Sequence, residues 1–540
     1  MNKFYTILFL SSILLIIASG QEKYFSRIAL ERHIQVLGSD SMLGRGSGNS
    51  GGEQAAQYIA VQLASMGLKP FGDNGGYFQK IQVHENKVLQ SSVLNFLSSQ
   101  DTIIFEYLED YVMLKYGSQT YIPQPSEMVF VGYGITAPEY DYNDYQAIDV
   151  QNKIVVYLEG EPPSDDSTFF AGKKPSVYSY PEAKERNAIA HGARGSIMIA
   201  SPPDKGGKSW KDWQQAYAFP DMALAYAVAG HFSIIIPGNT AEPMFRSSSI
   251  NLDKIYKMKS ENRIESFPLN GKISFIGAFD QRDFLASNVL AIRNGRQKKG
   301  SYLIISAHYD HLGIGPSVKG DSIYNGVVDN ALGVSGLLQI AHAMANSPRP
   351  KRSIIFLFVT GEEKGLLGTK YYLDHPQVPL YKTIANINID GLAMFDEFET
   401  VIGIGSQYST LRKFLRESAV KNEIRVSSLP DNFSGPETFL RSDQAGFARE
   451  GIPSILIMDG PHYKNLSYKE GIRKHINWIS NRYHTPFDDL YQPLNYQAMQ
   501  QHCVLLYDFI LNLANSKDKP RWNPNSPYIN ARLRSQAEKR

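Results

Sequence analysis

Ser301–His311 reads SYLIISAHYDH, Tyr324–Gly333 reads YNGVVDNALG, Arg352–Gly368 reads RSIIFLFVTGEEKGLLG and Ile384–Gly391 reads IANINIDG. Three apolar, β-rich runs lie here, at Tyr302 to Ala307, Ser353 to Thr360 and Ile384 to Ile389. Each run stops at acids or a histidine: His308, the pair Glu362 and Glu363, and Asp390. Between the first two runs a polar turn carries Asp329, and helical apolar spacing follows from Leu332 to Met344. Continuously apolar strands separated by helices predict a mostly parallel sheet covered on both faces, a three-layer α/β sandwich. Ligands of such sheets collect beyond the carboxyl ends of the strands. All of these polar residues fall there, so the pattern predicts a metal site at that edge.

A hydrolytic centre with two metal ions needs a carboxylate shared by both, terminal ligands on each side, and a base for the attacking water. Asp329, in a turn between strand and helix, suits the bridge. His308 and Asp390 serve one ion and Glu363 the other, and NRYHTPFDDL downstream offers His484 as a further ligand. Adjacent glutamates on an extended backbone point different ways, so one can hold metal while its neighbour faces a water. Asp310, two residues past His308, is expected to accept a hydrogen bond from the imidazole and fix its tautomer. Nitrogen and oxygen donors without sulfur suit zinc, with manganese and cobalt as alternatives. A glutamate pair after a strand also suits a solvated helix N-terminus; the company of His308, Asp329 and Asp390 favours metal. His311 and His462 are further candidates for the cleft wall.

With 540 residues, 43% of them hydrophobic, the chain can bury a large core and is expected to form two globular units. A formal charge of +2, without a dense Lys/Arg block, argues against nucleic acid as a partner. The single cysteine, Cys503, excludes an intrachain disulfide and a thiolate cluster. Residues 1–20 have the form of a secretory signal, with Lys3, an apolar stretch and small residues at Ala18-Ser-Gly20. No stable membrane anchor is expected, and secretion or a periplasmic location follows. Helices are expected at Ser26 to Leu37, Glu53 to Met66, Tyr408 to Lys421 and Tyr496 to Ala514. Between the first two, GRGSGNSGG reads as a flexible connection, since it neither follows a strand nor carries a P-loop lysine. SNVLAIRNG, at 287–295, reads as an edge strand, and the polar tail after Lys517 reads as a poorly ordered extension.

HYDH, GVVDNALG, TGEEKG, NIDG, SDQAGFAREGIPS and YHTPFDD, in that order, resemble the secreted di-zinc exopeptidases, the family of bacterial leucine aminopeptidases and glutamate carboxypeptidase II. The resemblance covers about Ser287 to Ala514. It implies two zinc ions, one held by His308, Asp329 and Asp390 and the other by Asp329, Glu363 and His484. It also implies Glu362 as general base, a cis peptide between Asp329 and Asn330, and peptides as substrates. VFVGYGI, DVQNKIVVYLEG and GARGSIMIA resemble a protease-associated (PA) domain, a β-rich insert. The expected division is 1–20 signal, 21–124 N-terminal part of the peptidase, 125–280 PA-like insert, 281–516 catalytic domain and 517–540 tail. Some family members place a tyrosine shortly before the Ser-Asp pair to polarise the scissile carbonyl; PETFLRSD has Phe439 instead. An aminopeptidase is the expected activity. The alternatives are a carboxypeptidase or dipeptidase, for which Arg441 and Lys464 are possible pocket cations, a glutaminyl cyclase, or a receptor-like protein without catalysis.

Overall fold

The computed structural model describes residues 24–538 except 115–120, 174, 206, 228–230, 247, 249, 262, 297–299, 431–432 and 434–435. The signal segment expected at residues 1–20 lies outside the described residues. The chain forms two compact units: residues up to 81 with 285–433 and 438–540, and residues 82–284 with 434–437.

The first unit is built on a mixed sheet. Its central strands run Phe279–Arg293, Ser353–Val359, Tyr302–His308, Thr383–Asn388, Ser454–Asp459 and Thr400–Ile404. Tyr302–His308 is parallel to both neighbours, with His308 beside Val359 and Ser306 beside Asn388. The chain leaves the middle strand for one side and later returns on the other, so the strand order reverses there and a crevice opens beyond the carboxyl ends. Alternate residues feed two cores. Leu303, Ile305 and Ala307 pack beneath helices Arg27–Leu37, Ser50–Ser65, Leu332–Asn346 and Tyr496–Asn515. Ile304, Ile355 and Leu357 pack on the opposite face with Tyr372, Leu373 and Phe447. Burial on both faces explains why these strands are apolar at consecutive positions.

Three expectations for this unit change. The strand containing 287–293 is internal, paired with Ser353–Val359 on one side. GRGSGNSGG is packed into the fold: Asn49 caps helix Ser50–Ser65 through the Gly52 amide, and Arg45 is fully buried. The tail docks, because Trp522 is 6% exposed and donates its indole N–H to the Gly451 carbonyl, and a helix follows at Ile529–Ala537. One aromatic anchor outweighs the polar composition around it.

The second unit carries an eight-stranded sheet in which Tyr121–Phe130, Ile154–Leu158, Gly195–Ile199 and Phe232–Ile236 are successive parallel neighbours. Among the described residues, α-helices at Pro181–Ala190, Trp210–Ala216, Gly238–Arg246 and Leu252–Ser260 accompany them. The unit begins at Gln82, before the boundary expected at Pro125. Val93–Leu97 and Thr102–Phe105 pair into this sheet, and Pro125 lies within strand Tyr121–Phe130 instead of before it. No helix among the described residues is long and apolar enough to cross a membrane.

Candidate metal centre

The three strand ends bring together the residues that the sequence singles out. His308 closes strand Tyr302–His308, Glu362 and Glu363 follow Ser353–Val359 in the turn after Gly361, and Asp390 lies just past Thr383–Asn388. Asp329 sits before helix Leu332–Asn346, and its peptide bond to Asn330 is cis. His308 Nε2 lies 3.2 Å from Asp329 Oδ1 and 3.3 Å from Asp390 Oδ1. His484 Nε2 lies 3.3 Å from the other oxygen, Asp329 Oδ2, and 3.1 Å from Glu363 Oε2. The two carboxylate oxygens of Asp329 therefore face separate ligand sets. Neighbouring ligands on a tetrahedral zinc, with bonds of about 2.0–2.1 Å, stand about 3.3 Å apart. The spacing within each set fits one ion.

His311 is also here. It is buried, and with Asp329 and Glu363 it makes an alternative three-ligand group. Its Nδ1 is 2.6 Å from Glu363 Oε1, a hydrogen-bond length too short for two ligands of one ion. His311 thus orients Glu363, leaving Oε2 to the His484 side. His462 goes elsewhere and packs on Tyr468.

Asp310 acts differently from expectation. Its carboxylate is 3.8 Å from His308 Nδ1, and the nearer acceptor is its own backbone carbonyl at 3.2 Å. The side chain instead accepts the Glu362 backbone N–H at 3.2 Å, fixing the start of the glutamate turn. A backbone carbonyl holds an imidazole tautomer as well as a carboxylate does.

Other residues hold the ligand loops. Asp488, fully buried, accepts the backbone N–H groups of Val328 and Asp329. Asn330 accepts from the Gly333 and Gly391 amides and donates to the Ile389 carbonyl, joining the Asp329 turn to the Asp390 turn. The Arg45 guanidinium donates to the carbonyls of Tyr309 at 2.8 Å, Leu37 at 2.7 Å, and Asn325 and Gly326 at 2.6 Å each. Gly326 has φ +60°, and a Cβ there would stand 2.2 Å from the Asp329 carbonyl oxygen and 2.4 Å from the His311 ring. Only glycine lets the turn pass this close. Ser47 meets Thr360 hydroxyl to hydroxyl at 3.0 Å, linking the glycine-rich segment to the strand that ends at the glutamates.

The electrostatics demand positive charge. Burial opposes charge on Glu363, yet His484 and His311 hold it well below the usual carboxylate range. Burial likewise disfavours a charged His484, but Glu363 and Asp329 prevail and raise it to about 10. His308 is raised as well, against its burial, by Glu362 and Asp390. Without ions, protonated imidazoles supply the cations; divalent ions would supply them when bound. Glu362 differs from its neighbour. Burial pushes its carboxyl well above the usual range, against the pull of His308, with the charge of Glu363 adding to the rise. A carboxylate of raised proton affinity suits a general base.

The sequence offers no tyrosine where Phe439 stands, and Phe439 packs into a separate apolar cluster. The structure places Tyr483 at the centre instead. Its ring stacks on His484, with centroids 3.8 Å apart, and burial with the charges of Asp329 and Glu363 raises its hydroxyl far above the usual value. It remains a protonated donor beside the acids.

Residues 288–510 match the model of peptidase family M28. The family is one of metallopeptidases. A protein of Mycobacterium tuberculosis named "Probable lipoprotein aminopeptidase LpqL" is 25% identical over 51% of this chain and 58% of its own length. A vacuolar membrane protease of Clavispora lusitaniae is 26% identical over 33% of this chain and 16% of its own. The chain thus spans a small part of the vacuolar protease and just over half of the mycobacterial relative. Among solved structures, the aminopeptidase from Aneurinibacillus sp. strain AM-1 superposes with a TM-score of 0.55 at 18% identity, covering 93% of this chain and 99% of that one. At that identity the likeness concerns the fold alone.

Proposed function

We propose that this chain is a secreted, zinc-dependent aminopeptidase that removes N-terminal residues from peptides with two zinc ions bound. The observation that carries the reading is Asp329, whose two carboxylate oxygens stand against two separate ligand pairs, His308 with Asp390 and His484 with Glu363. Two zinc ions in these sets would acidify a shared water and polarise the scissile carbonyl. Glu362 takes the proton of the attacking water and passes it to the leaving amine. The Tyr483 hydroxyl donates to the carbonyl oxygen as negative charge develops there. Asp310 and His311 hold Glu362 and Glu363 in their different orientations. The surplus of acids around the cleft suits a free α-ammonium group.

The carboxypeptidase reading rests on Arg441, whose charge acts on Tyr483. Lys464 is paired with Glu397 at 2.8 Å, which disfavours it as a pocket cation for a free carboxylate. A receptor-like role is disfavoured because all five expected ligand positions keep their residues. We assign the second unit as the PA-type insert, without catalytic residues. The test is a peptide panel with free and acetylated α-amines, run with and without a chelator. Acetylation and chelation should each abolish cleavage; equal turnover of blocked and free peptides would reject the aminopeptidase reading.

A further inference from the structure

Helix Tyr468–Asn481 lies in the segment leading to His484, and only Gly471 of its residues is buried. A cavity of about 740 Å³ opens against this helix within the first unit, a size in the usual range for ligand sites. Its lining includes the cations Arg27, Arg473, Lys474 and Arg482, and no carboxylate. Phe395, Trp478 and Tyr496 give it an aromatic wall, and Lys474 Nζ lies 5.7 Å from the Phe395 ring centroid. Side-chain amides at Asn477, Asn495 and Gln497 also line it, whereas the Gln492 amide is spent on Trp478, Asp488 and the Asp489 carbonyl. Three acids bear on these groups from outside the lining. Asp489 is 3.8 Å from the Arg482 guanidinium, Glu470 interacts with Arg473 and Lys474, and Glu31 acts on Tyr496. Glu470 is engaged in capping its own helix at Ser467, so the lining stays cationic.

We infer that this groove binds acidic peptide, taking Asp or Glu side chains on its four cations while the amides meet backbone and the aromatic wall covers apolar atoms. Peptide is favoured over a bare anion because amides and rings share the lining with the charges; an inorganic anion uses only the charges. The groove is tied to the centre by the chain itself. Phe395 follows Asp390 by a few residues, and Arg482 precedes His484 by two, so an occupant contacts both ligand-bearing segments. The inference rests on the peptidase reading for its choice of ligand class.

The test is equilibrium binding to the full chain loaded with zinc. The probe is N-acetylated oligoglutamate, fluorescent at its C-terminus, with oligoglutamine as the neutral control and anisotropy read at low and high salt. Oligoglutamate is expected to bind, oligoglutamine not, and salt to weaken the binding. Reversal of two cations, Arg473→Glu with Lys474→Glu, is expected to lower affinity roughly tenfold or more, and Arg473→Lys with Lys474→Arg to retain it. Arg27→Glu, on a different helix, repeats the test should the double variant fold poorly. Equal binding of the two peptides, no binding, or unchanged affinity in a reversal variant that melts like the parent would overturn the inference. So would displacement by pyrophosphate at matching concentration, which marks a simple anion site, or binding confined to anionic phospholipid vesicles. Because binding of a blocked peptide needs no turnover, failure of the aminopeptidase assay and failure of the groove are separate results.

Discussion

Replacement of Arg45 by methionine tests how the centre is held. The guanidinium is fully buried and donates to four backbone carbonyls within 2.8 Å, with a weaker approach to the Asp329 carbonyl at 3.5 Å. Burial lowers its pKa to about 10, against the charges of Asp488 and Asp329, so it stays protonated at neutral pH. Methionine matches the stem and removes every donor. Four carbonyls then lose their partner at about 1 kcal/mol or more each, and the desolvation cost of the lost charge is recovered in part. The expected net loss is about 3–5 kcal/mol in urea unfolding. The bonded carbonyls flank Asp310 and His311 on one side and lead into Asp329 on the other, so the ligand loops loosen as well. A loss of about 10–100-fold in zinc affinity is expected by competition with a fluorescent chelator, the range for groups that orient ligands. Arg45→Lys keeps the charge but cannot reach four acceptors as a fork, and should recover little of either. If Arg45→Met unfolds at the parent's urea midpoint and binds zinc equally well, the clamp does not exist.

Glu362→Gln is expected to keep both ions and lose about 100- to 10,000-fold in turnover, whereas Glu363→Gln should lose metal and regain part of its activity in excess zinc. Metal content and kcat measured side by side would expose a reversal of the two roles. His33 is buried against the Tyr58 hydroxyl at 2.6 Å, and burial, with Arg32 and His342, lowers its pKa to about 4. Its contribution to stability is therefore complete above the unfolded value of 6.5 and is lost as pH falls toward 4. Between pH 7 and 4.5 the parent should lose about 2–3 kcal/mol more than His33→Gln, by urea titration at each pH. Trp522→Ala should cost about 3–5 kcal/mol for the emptied site and orphaned Gly451 carbonyl, and a variant as stable as the parent would mean that the tail is not docked.

The ligand residues were legible because each marks a local event. A strand that is apolar at consecutive positions is buried on both faces, so the first ionisable residue after it marks the edge of the sheet, and His308, Glu362 and Asp390 are such residues. Arg45, Asp488 and Tyr483 gave no such signal. Arg45 meets Asn325 across 280 positions and Asp488 meets Val328 across 160, and their partners are backbone groups, which every residue carries. The glycines around Arg45 spoke for flexibility, while their use is close packing: a Cβ on Gly51 would stand 1.7 Å from the Met42 carbonyl oxygen. Spacing places Asp310 near His308 without telling side chain from carbonyl, and it is the carbonyl, at 3.2 Å, that stands within hydrogen-bond reach.

The charge balance links these supports to the metal. Asp310, Asp329, Glu362, Glu363, Asp390, Asp443 and Asp488 lie at or close around the centre. Arg45 feels the fields of Asp488, Asp329, Asp310 and Glu363, yet its strong hydrogen bonds all go to carbonyls. The fixed cation therefore braces the loops and leaves the carboxylates themselves without a partner charge. His308 and His484 can supply that charge only as imidazolium, a form in which neither can bind metal. Metal loading must then displace protons from both imidazoles, so zinc affinity should steepen as pH rises, and the bound ions should stabilise the fold by relieving the repulsion among the acids. The same residues that make the centre costly without ions make it selective for a state that holds them.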